Sequence, residues 1–493
     1  MIKPGSEPPG HCPKCDKALV EVGDQGRYLE CVCGYRFDTY LSRETIEEPE
    51  PEPVTWDQIA DALSLTIKKD NPSKIITFAA LVLAKTEEDQ INLGFQAESA
   101  AGKTYIPLEV ASHFPQEDVV VLAGASPTSF FHEYGQWDDK RKVSVVNLEE
   151  KVLIFLDFPD YRLIEKLRPL LSHDRKTLVF KITDKKEKQG LRTKTVEIVG
   201  FPIVIFCSTK LNPDEQEKTR LLLLSPEIDQ EKLEASLRLI ALKVADRATY
   251  QKLLESDPKR RWLEELAKKT WSSGIKNVKI ESDLYTRFVQ TQPKHKPRHQ
   301  RDLPRVASLI KAHAMINWQL REMLDDKTIV TTEEDVDAGF SLYAEVSQAN
   351  ELGISPYVMR IYEDVVRPIL SNAGISRKEI YQSHYSAFGR TANQQWYEKE
   401  IFPALTATGL IIEEADPEDR RRKLVYPPDL TMVIDVRNPK SGAETSQSHI
   451  DNHSGVRGVS GQEEGQPLAK GLDDRPSPQD NQSLDVYHSE ANQ

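Results

Sequence analysis

The chain has 493 residues, too many for one ordinary domain, and its 39% apolar content is enough for several cores. A formal net charge of −13 excludes a uniformly basic nucleic-acid coat, so any contact with DNA must come from local clusters of Lys and Arg. The longest apolar run, Ile75 to Ala84, is too short to span a bilayer, and the polar N-terminus lacks a secretory pattern. These features predict a cytoplasmic protein with no membrane partner.

Residues 1–42 hold four of the five cysteines. Cys12 and Cys15 form one pair, and Cys31 and Cys33, followed by Gly34, form the second after fifteen intervening residues. Four thiolates satisfy tetrahedral Zn²⁺ and leave no open position, so a zinc held here is structural. His11 adjoins Cys12 and is read as lying outside the ligand set. This segment resembles a zinc ribbon. Residues 43–54 carry the run EEPEPEPV and read as an extended acidic linker.

Residues 55–275 read as an α/β core. Two helical patterns, WDQIADALSLTIKK and PSKIITFAALVLAK, come first. From about residue 91 to 227, short apolar runs alternate with helical segments: INLGF, VVVLAG, KVLIFLD, PIVIFCS and LLLLS. Continuous apolar strands of this kind suit a parallel sheet covered on both faces. Charged amphipathic helices follow over 228–273. Residues 276–348 are expected to form a helical lid, 349–430 a compact small domain, and 431–493 a disordered tail rich in Ser, Gly, Gln, Asp and Pro.

The strongest chemistry lies in Ala97-Glu98-Ser99-Ala100-Ala101-Gly102-Lys103-Thr104, between the strand INLGF and the helical stretch that opens at Tyr105. Small residues let such a loop wrap a phosphate chain with its amides pointing inward. The pattern is a P-loop variant with Ala97 at the first small position. It places Lys103 at the β and γ phosphates of ATP and the Thr104 hydroxyl on Mg²⁺. A carboxylate must then meet the Mg²⁺, and Asp157 stands at the end of the apolar run KVLIFLD. Phe158 follows it where the AAA+ ATPases that this order of motifs resembles carry a second acidic residue; Asp160 is the nearest substitute for a catalytic base, or simply caps the next helix. Ser208 or Thr209, after PIVIFC, would contact the γ-phosphate or the attacking water. Arg220 stands just before LLLLS; its place resembles that of an arginine in oligomeric AAA+ proteins that reaches a neighbouring subunit's γ-phosphate, a role suited to its permanent charge and forked donors.

These motifs, in this order, resemble an AAA+ ATPase core. Residues 301–342 narrow the likeness. Arg301, Leu303, Ala312-His313-Ala314, then Val330-Thr331-Thr332-Glu333-Glu334-Asp335-Val336 and Ala338 resemble the C-terminal lid of MCM replicative helicases. The likeness covers roughly residues 90–345. It implies that Arg301 is a sensor arginine contacting nucleotide and that His313 is a packed helix residue. It also implies a β-hairpin inserted before the sensor strand. LVFKITDKKEKQGLRTKTVEIVG fits such a hairpin, and Lys185, Lys186, Lys188, Arg192 and Lys194 at its basic tip would track the phosphates of a DNA strand.

The small domain resembles a winged helix, with a recognition helix from about Ala392 to Thr408 and with Arg420, Arg421, Arg422 and Lys423 on the wing. Protein contact is as open a role for it as DNA binding. The combined expectation is an ATP-dependent helicase or translocase acting as a homo-oligomeric ring on a single strand or fork, in DNA replication or mobile-element maintenance. Two alternatives stand beside it: an ATPase that loads or remodels proteins on DNA without unwinding, and a nucleotide-bound DNA-binding regulator that hydrolyses nothing.

Overall fold

The computed structural model describes residues 11–22, 28–38, 52–124, 135–184, 192–209, 219–292 and 294–428. Most of the acidic linker, the tip of the basic hairpin and the expected disordered tail lie outside them. Among the described residues no helix is long and apolar enough to cross a membrane. The protein is mixed α/β.

The N-terminal module is a three-stranded antiparallel sheet, β1 (Val20–Val22), β2 (Tyr28–Glu30) and β3 (Arg36–Asp38), in sequence order. Helix α1 (Trp56–Leu63) opens with a reciprocal capping box between Thr55 and Gln58, which satisfies two of the amide donors a helix start leaves unpaired. Helix α2 (Asn71–Val82) is buried from Ser73 to Val82 and so runs through the interior. Even Lys74 is fully buried there: its Nζ donates to Ser64 Oγ at 2.7 Å, and burial pushes its pKa down to about 8.

The central sheet follows. Strand β4 (Leu93–Gln96) leads through a loop to α3 (Tyr105–Ala111), and β5 (Val119–Leu122) comes next. After β6 (Gly135–Asp138) and β7 (Val143–Asn147), β8 (Val152–Phe155) precedes α4 (Tyr161–Leu171). Strands β9 (Thr177–Asp184) and β10 (Arg192–Val199) come before β11 (Ile203–Ser208) and β12 (Leu222–Leu224). Five of these form an all-parallel sheet in the order β12-β4-β11-β8-β5. Side-chain alternation explains the unbroken apolar runs. Ile203, Ile205 and Cys207 join the core that contains α1, α2 and α3, whereas Val204 and Phe206 join the one that contains α4.

The expected hairpin is present. Strands β9 and β10 pair antiparallel from Thr177↔Val199 to Asp184↔Arg192. It belongs to a second sheet, β6-β7-β10-β9, whose other hairpin, β6–β7, the sequence did not announce. That first strand reads GQWD, too short and polar for a period-two signal.

Helices α5 (Gln230–Ala245), α6 (Arg247–Ser256) and α7 (Pro258–Trp271) fill the expected charged stretch, each begun by an aspartate side-chain cap. The lid departs from expectation because it is not wholly helical. Strand β13 (Asn277–Lys279) precedes α8 (Leu284–Thr291) and α9 (His299–Ile316); β14 (Met323–Asp325) and β15 (Thr328–Val330) precede α10 (Glu333–Glu351). The three strands form one sheet, β13-β15-β14. Three-residue strands carry no usable periodicity, and the β13–β15 pairing spans α8 and α9. Helices α9 and α10 approach closely at Gly339, where an added Cβ would lie 2.7 Å from the Ile310 backbone nitrogen.

The C-terminal module holds α11 (Pro356–Ile361), a π-helical turn Tyr362–Val366, β16 (Ile375–Ser376) and α12 (Arg377–Phe388). A helical run over 394–407 is interrupted by a π turn at Tyr397–Ile401, and β17 (Ile412–Ala415) and β18 (Lys423–Tyr426) complete the module. Its sheet has the order β16-β18-β17, and its core is built around Ile380, Tyr397, Phe402 and Val425.

Candidate functional site

In the order β12-β4-β11-β8-β5, the chain leaves β4 for β5 at one edge and ends at β12 on β4's other side. The neighbours β4 and β11 therefore send their connections in opposite directions, β4 toward β5 and β11 toward β12, and the crevice beyond the carboxyl ends of strands at such a point is where open parallel sheets bind ligands. The loop 97–104 emerges there. Ala100 and Gly102 hold positive φ angles of 65° and 95°, which bend the backbone into a cradle. Ala97 N donates to the Ser208 carbonyl at 3.4 Å, fixing the loop to the end of β11. Thr104 is the residue before α3, and Pro107 in that helix's first turn removes only an amide that has no intrahelical partner.

Lys103 and Asp157 converge on Cys207. The buried thiol is pushed up to about 12, mainly by burial, with the Lys103 charge opposing and the Asp157 charge reinforcing the shift. Cys207 Sγ also lies 3.4 Å from the Lys103 carbonyl. The charges of Lys103 after β4 and Asp157 after β8 thus both bear on Cys207 of β11. Asp157 is exposed, and its Oδ1 accepts from Phe158 N at 2.8 Å. Phe158 packs its ring against Phe206, with centroids 5.4 Å apart, so the position after Asp157 serves the core. Asp160 is the N-cap of α4, accepting from Arg162 N at 2.8 Å. Ser208 is buried at the end of β11, and Thr209 is exposed beyond it.

Beside the loop lies a cavity of about 670 Å³, a volume within the usual range for small-molecule sites. Glu98 to Gly102 and Tyr105 form one wall, while Ile67, Ile106, Ile228, Leu237 and Ile240 supply an apolar one. Asp70 and Lys232, also lining it, form a buried ion pair at 2.5 Å. Burial raises the Asp70 pKa, and the Lys232 charge opposes that rise. The sequence reading missed Asp70, Lys232, the apolar wall and Arg390, which also lines the cavity. Apart from Ile106 in α3, they come from the segment leading into α2, from α5 and the residues before it, and from the C-terminal module, so no local pattern links them to the loop.

Arg220 and Arg301 line a different cavity, of about 400 Å³, with Thr219, Ser172, His173 and Lys311. Arg220 Nε donates to Ser172 Oγ at 2.7 Å, and Arg301 contacts the Thr219 hydroxyl. Arg305 beneath them donates to the Thr219 and Leu221 carbonyls at 2.7 and 3.1 Å, and burial lowers its pKa to about 10. The two cavities have no lining residue in common.

The four N-terminal cysteines meet. Cys12 and Cys33 Sγ are 3.4 Å apart, as are Cys15 and Cys31 Sγ, and all four lie within 4.8 Å of one another. A tetrahedral zinc with Zn–S bonds of about 2.3 Å requires S···S separations of about 3.8 Å, so the cluster can hold that ion. Cys31 N donates to the Tyr35 carbonyl and Gly34 N to the Cys31 carbonyl, both at 2.8 Å, with Gly34 at φ 82°. That left-handed turn is how the tight second pair folds around a centre.

Of the expected DNA contacts, Lys185, Lys186 and Lys188 lie outside the described residues, and Arg192 and Lys194 occupy backbone positions of β10 opposite Asp184 and Ile182. Arg420, Arg421 and Arg422 are exposed on the turn between β17 and β18. No protein-family model matches the chain, and no curated protein matches it.

Proposed function

We propose that this chain is an MCM-like AAA+ ATPase that works as a ring on DNA. The observation that carries the reading is the separation of Arg220 and Arg301 from the loop bearing Lys103: they line a cavity of their own. One chain offers the phosphate loop and another the arginines, so a complete site requires two copies. The strand order β12-β4-β11-β8-β5 and the hairpin β9–β10 ahead of β11 support the same reading.

In this mechanism ATP lies along Glu98 to Thr104, with its base against Ile67, Ile106 and Ile240. Lys103 would neutralise the β and γ phosphates, and Thr104 and Asp157 would hold a Mg²⁺ ion that screens the phosphate charge. Arg220 and Arg301 from the next subunit stabilise charge on the transferred phosphoryl group. The hairpin lysines couple the cycle to DNA, the zinc-binding module and the winged-helix-like module with Arg420 to Arg422 adding contacts. The test is ATPase and fork-unwinding activity of the wild type, Lys103→Ala and Lys185→Ala. Loss of hydrolysis in the first variant, and of unwinding alone in the second, is expected. Hydrolysis stimulated by DNA without unwinding in the wild type would turn the reading to a protein remodeller.

One observation favours a second reading. Phe158 is committed to Phe206, and Asp160 to the cap of α4, which leaves the catalytic base unassigned. A wild type that binds ATP yet hydrolyses none with any DNA is then a nucleotide-bound DNA-binding regulator.

A further inference from the structure

The C-terminal module is fastened to the nucleotide loop and its surroundings at several points. Arg390 follows Gly389, the left-handed residue that ends α12, and forms an ion pair with Glu98 in the loop. Ala101, also in the loop, packs against the module's apolar core. Trp396 Nε1 donates to the Thr209 carbonyl at 3.4 Å, just past the end of β11. Gln230 Nε2, at the start of α5, donates to the Phe388 carbonyl at 2.8 Å. The module therefore touches the loop, the end of β11 and the first helix of the cavity wall.

Arg390 is placed to do more than anchor. It lines the loop cavity, whose other cations are Lys68, Lys232 and Lys243. Lys232 is committed to Asp70, and Lys68 Nζ donates to the Ser64 and Leu65 carbonyls at 2.8 and 3.0 Å. Neither Arg220 nor Arg301 lines this cavity. The Arg390 guanidinium meets Glu98 through Nη1 and Tyr357 Oη through Nη2 at 3.5 Å, and its Nε is buried with no hydrogen-bond partner. The side chain is about one-third exposed to the cavity; Nη1 and Nη2 carry two hydrogens each, more than the contacts to Glu98 and Tyr357 use, and a phosphate oxygen is the acceptor that the fork fits best. Glu98 holds the side chain in place without using all of its donors.

We propose that Arg390 is the arginine that contacts the nucleotide's phosphates within the same chain, so that nucleotide binding tightens the docking of the C-terminal module. This rests on the ATP-binding reading above. It makes the module a reporter of nucleotide state: an occupied site adds an acceptor for Arg390 and locks α12 and the 394–407 run against the loop. An empty site leaves the pair with Glu98 as the main tie between Arg390 and the loop.

The test uses the full chain. ATP binding is titrated calorimetrically for the wild type, Arg390→Ala and Arg390→Lys, and amide exchange over 394–401 is followed with and without ATP. Arg390→Ala is expected to weaken ATP binding by about 10-fold or more, the effect of losing a charge-assisted hydrogen bond. Arg390→Lys, which keeps charge and stem and guards against misfolding, recovers part of the affinity. ATP is expected to slow exchange over 394–401 in the wild type and not in Arg390→Ala. Both variants binding ATP within twofold of the wild type, or exchange unchanged by ATP in the wild type, overturns the proposal while leaving ATP binding intact. A wild type that binds no ATP overturns the proposal together with the reading beneath it.

Discussion

His313 Nδ1 lies 2.6 Å from Asp335 Oδ1, which joins the Ala-His-Ala turn of α9 to the first turn of α10 through one buried carboxylate. Arg321 Nε and Nη2 reach the same carboxylate at 2.7 Å each, and the Thr332 amide donates to it at 2.9 Å. Burial alone would raise the Asp335 pKa; the donors from His313, Arg321 and Thr332 outweigh it, and the pKa is lowered. The two halves of the lid pattern are thus a fastening between helices, which is why His313 belongs to the packing of the lid.

Asp335→Asn keeps the shape and removes the charge, leaving the Arg321 guanidinium buried without its counter-ion. Breaking a buried pair from one side costs about 3–5 kcal/mol, so the variant's denaturant midpoint should fall well below that of the wild type. The lowered pKa fixes the sign of the pH dependence. The Asp335 contribution is present above the ordinary aspartate value of about 3.9 and is lost as pH falls through the lower folded value. The gap between wild type and variant should therefore close in acid. An equal gap at neutral pH and below pH about 3 would refute this assignment.

Among its described residues the N-terminal module buries almost no apolar side chain besides cysteine. Cys12 and Cys31 are buried, whereas Val20, Val22 and Val32 are 60, 38 and 83% exposed. A metal held by the four cysteines would then supply the folding free energy. The purified chain should carry one zinc, and a strong chelator should remove it and abolish exchange protection over 28–38. Cys12→Ser should lose the metal with the thermal unfolding of residues 55–428 unchanged. Retention of a full equivalent by Cys12→Ser would show that the ligand set is different.

The parallel sheet was legible because β4, β8, β11 and β12 are buried along their whole length and lie in apolar runs, and the edge strand β5 keeps such a run although Val121 is exposed. The cysteine cluster, and the place of the loop 97–104 between β4 and α3, were legible because each is set by residues close together in sequence. What was hidden depends on long-range packing. The cavity beside the loop gathers Ile67, Ile240 and Arg390 from three distant segments, and each alone is an ordinary side chain. The hairpin β6–β7 and the lid strands were hidden for a different reason: they are short, and neighbouring strands define them more than their own pattern does. Asp160 was ambiguous between cap and base, and its bond to Arg162 N accounts for the cap.

If the site is shared between subunits, two inactive variants should restore each other. Lys103→Ala spoils the loop and keeps Arg220; Arg220→Ala keeps the loop and spoils the arginine. Each alone should hydrolyse ATP at a rate reduced by about 10³-fold or more, the scale of removing a phosphate-stabilising arginine. Mixed before assembly, they form some interfaces with an intact loop facing an intact arginine, and hydrolysis should reappear. An inactive mixture of subunits shown to co-assemble would assign both residues to one chain's own site.

His384 gives the C-terminal module a pH-dependent stability. It is 2% exposed, its Nδ1 lies 2.8 Å from Tyr397 Oη, and the rings of Phe388 and Tyr397 close around it at 4.9 and 5.5 Å. Burial, and then the Arg390 charge, lower its pKa to about 4. The folded module therefore keeps His384 neutral where an unfolded chain begins to take up a proton, near pH 6.5. Stability is full above that value, falls as pH drops toward about 4, and then levels off once both states are protonated. His113 and His173 are also lowered by burial, so the whole chain has a background slope of the same sign. The difference between wild type and His384→Gln isolates this one residue. Urea midpoints for both, measured from pH 7.5 to 4.5, should fall less steeply in the variant, and parallel curves would remove His384 from the account.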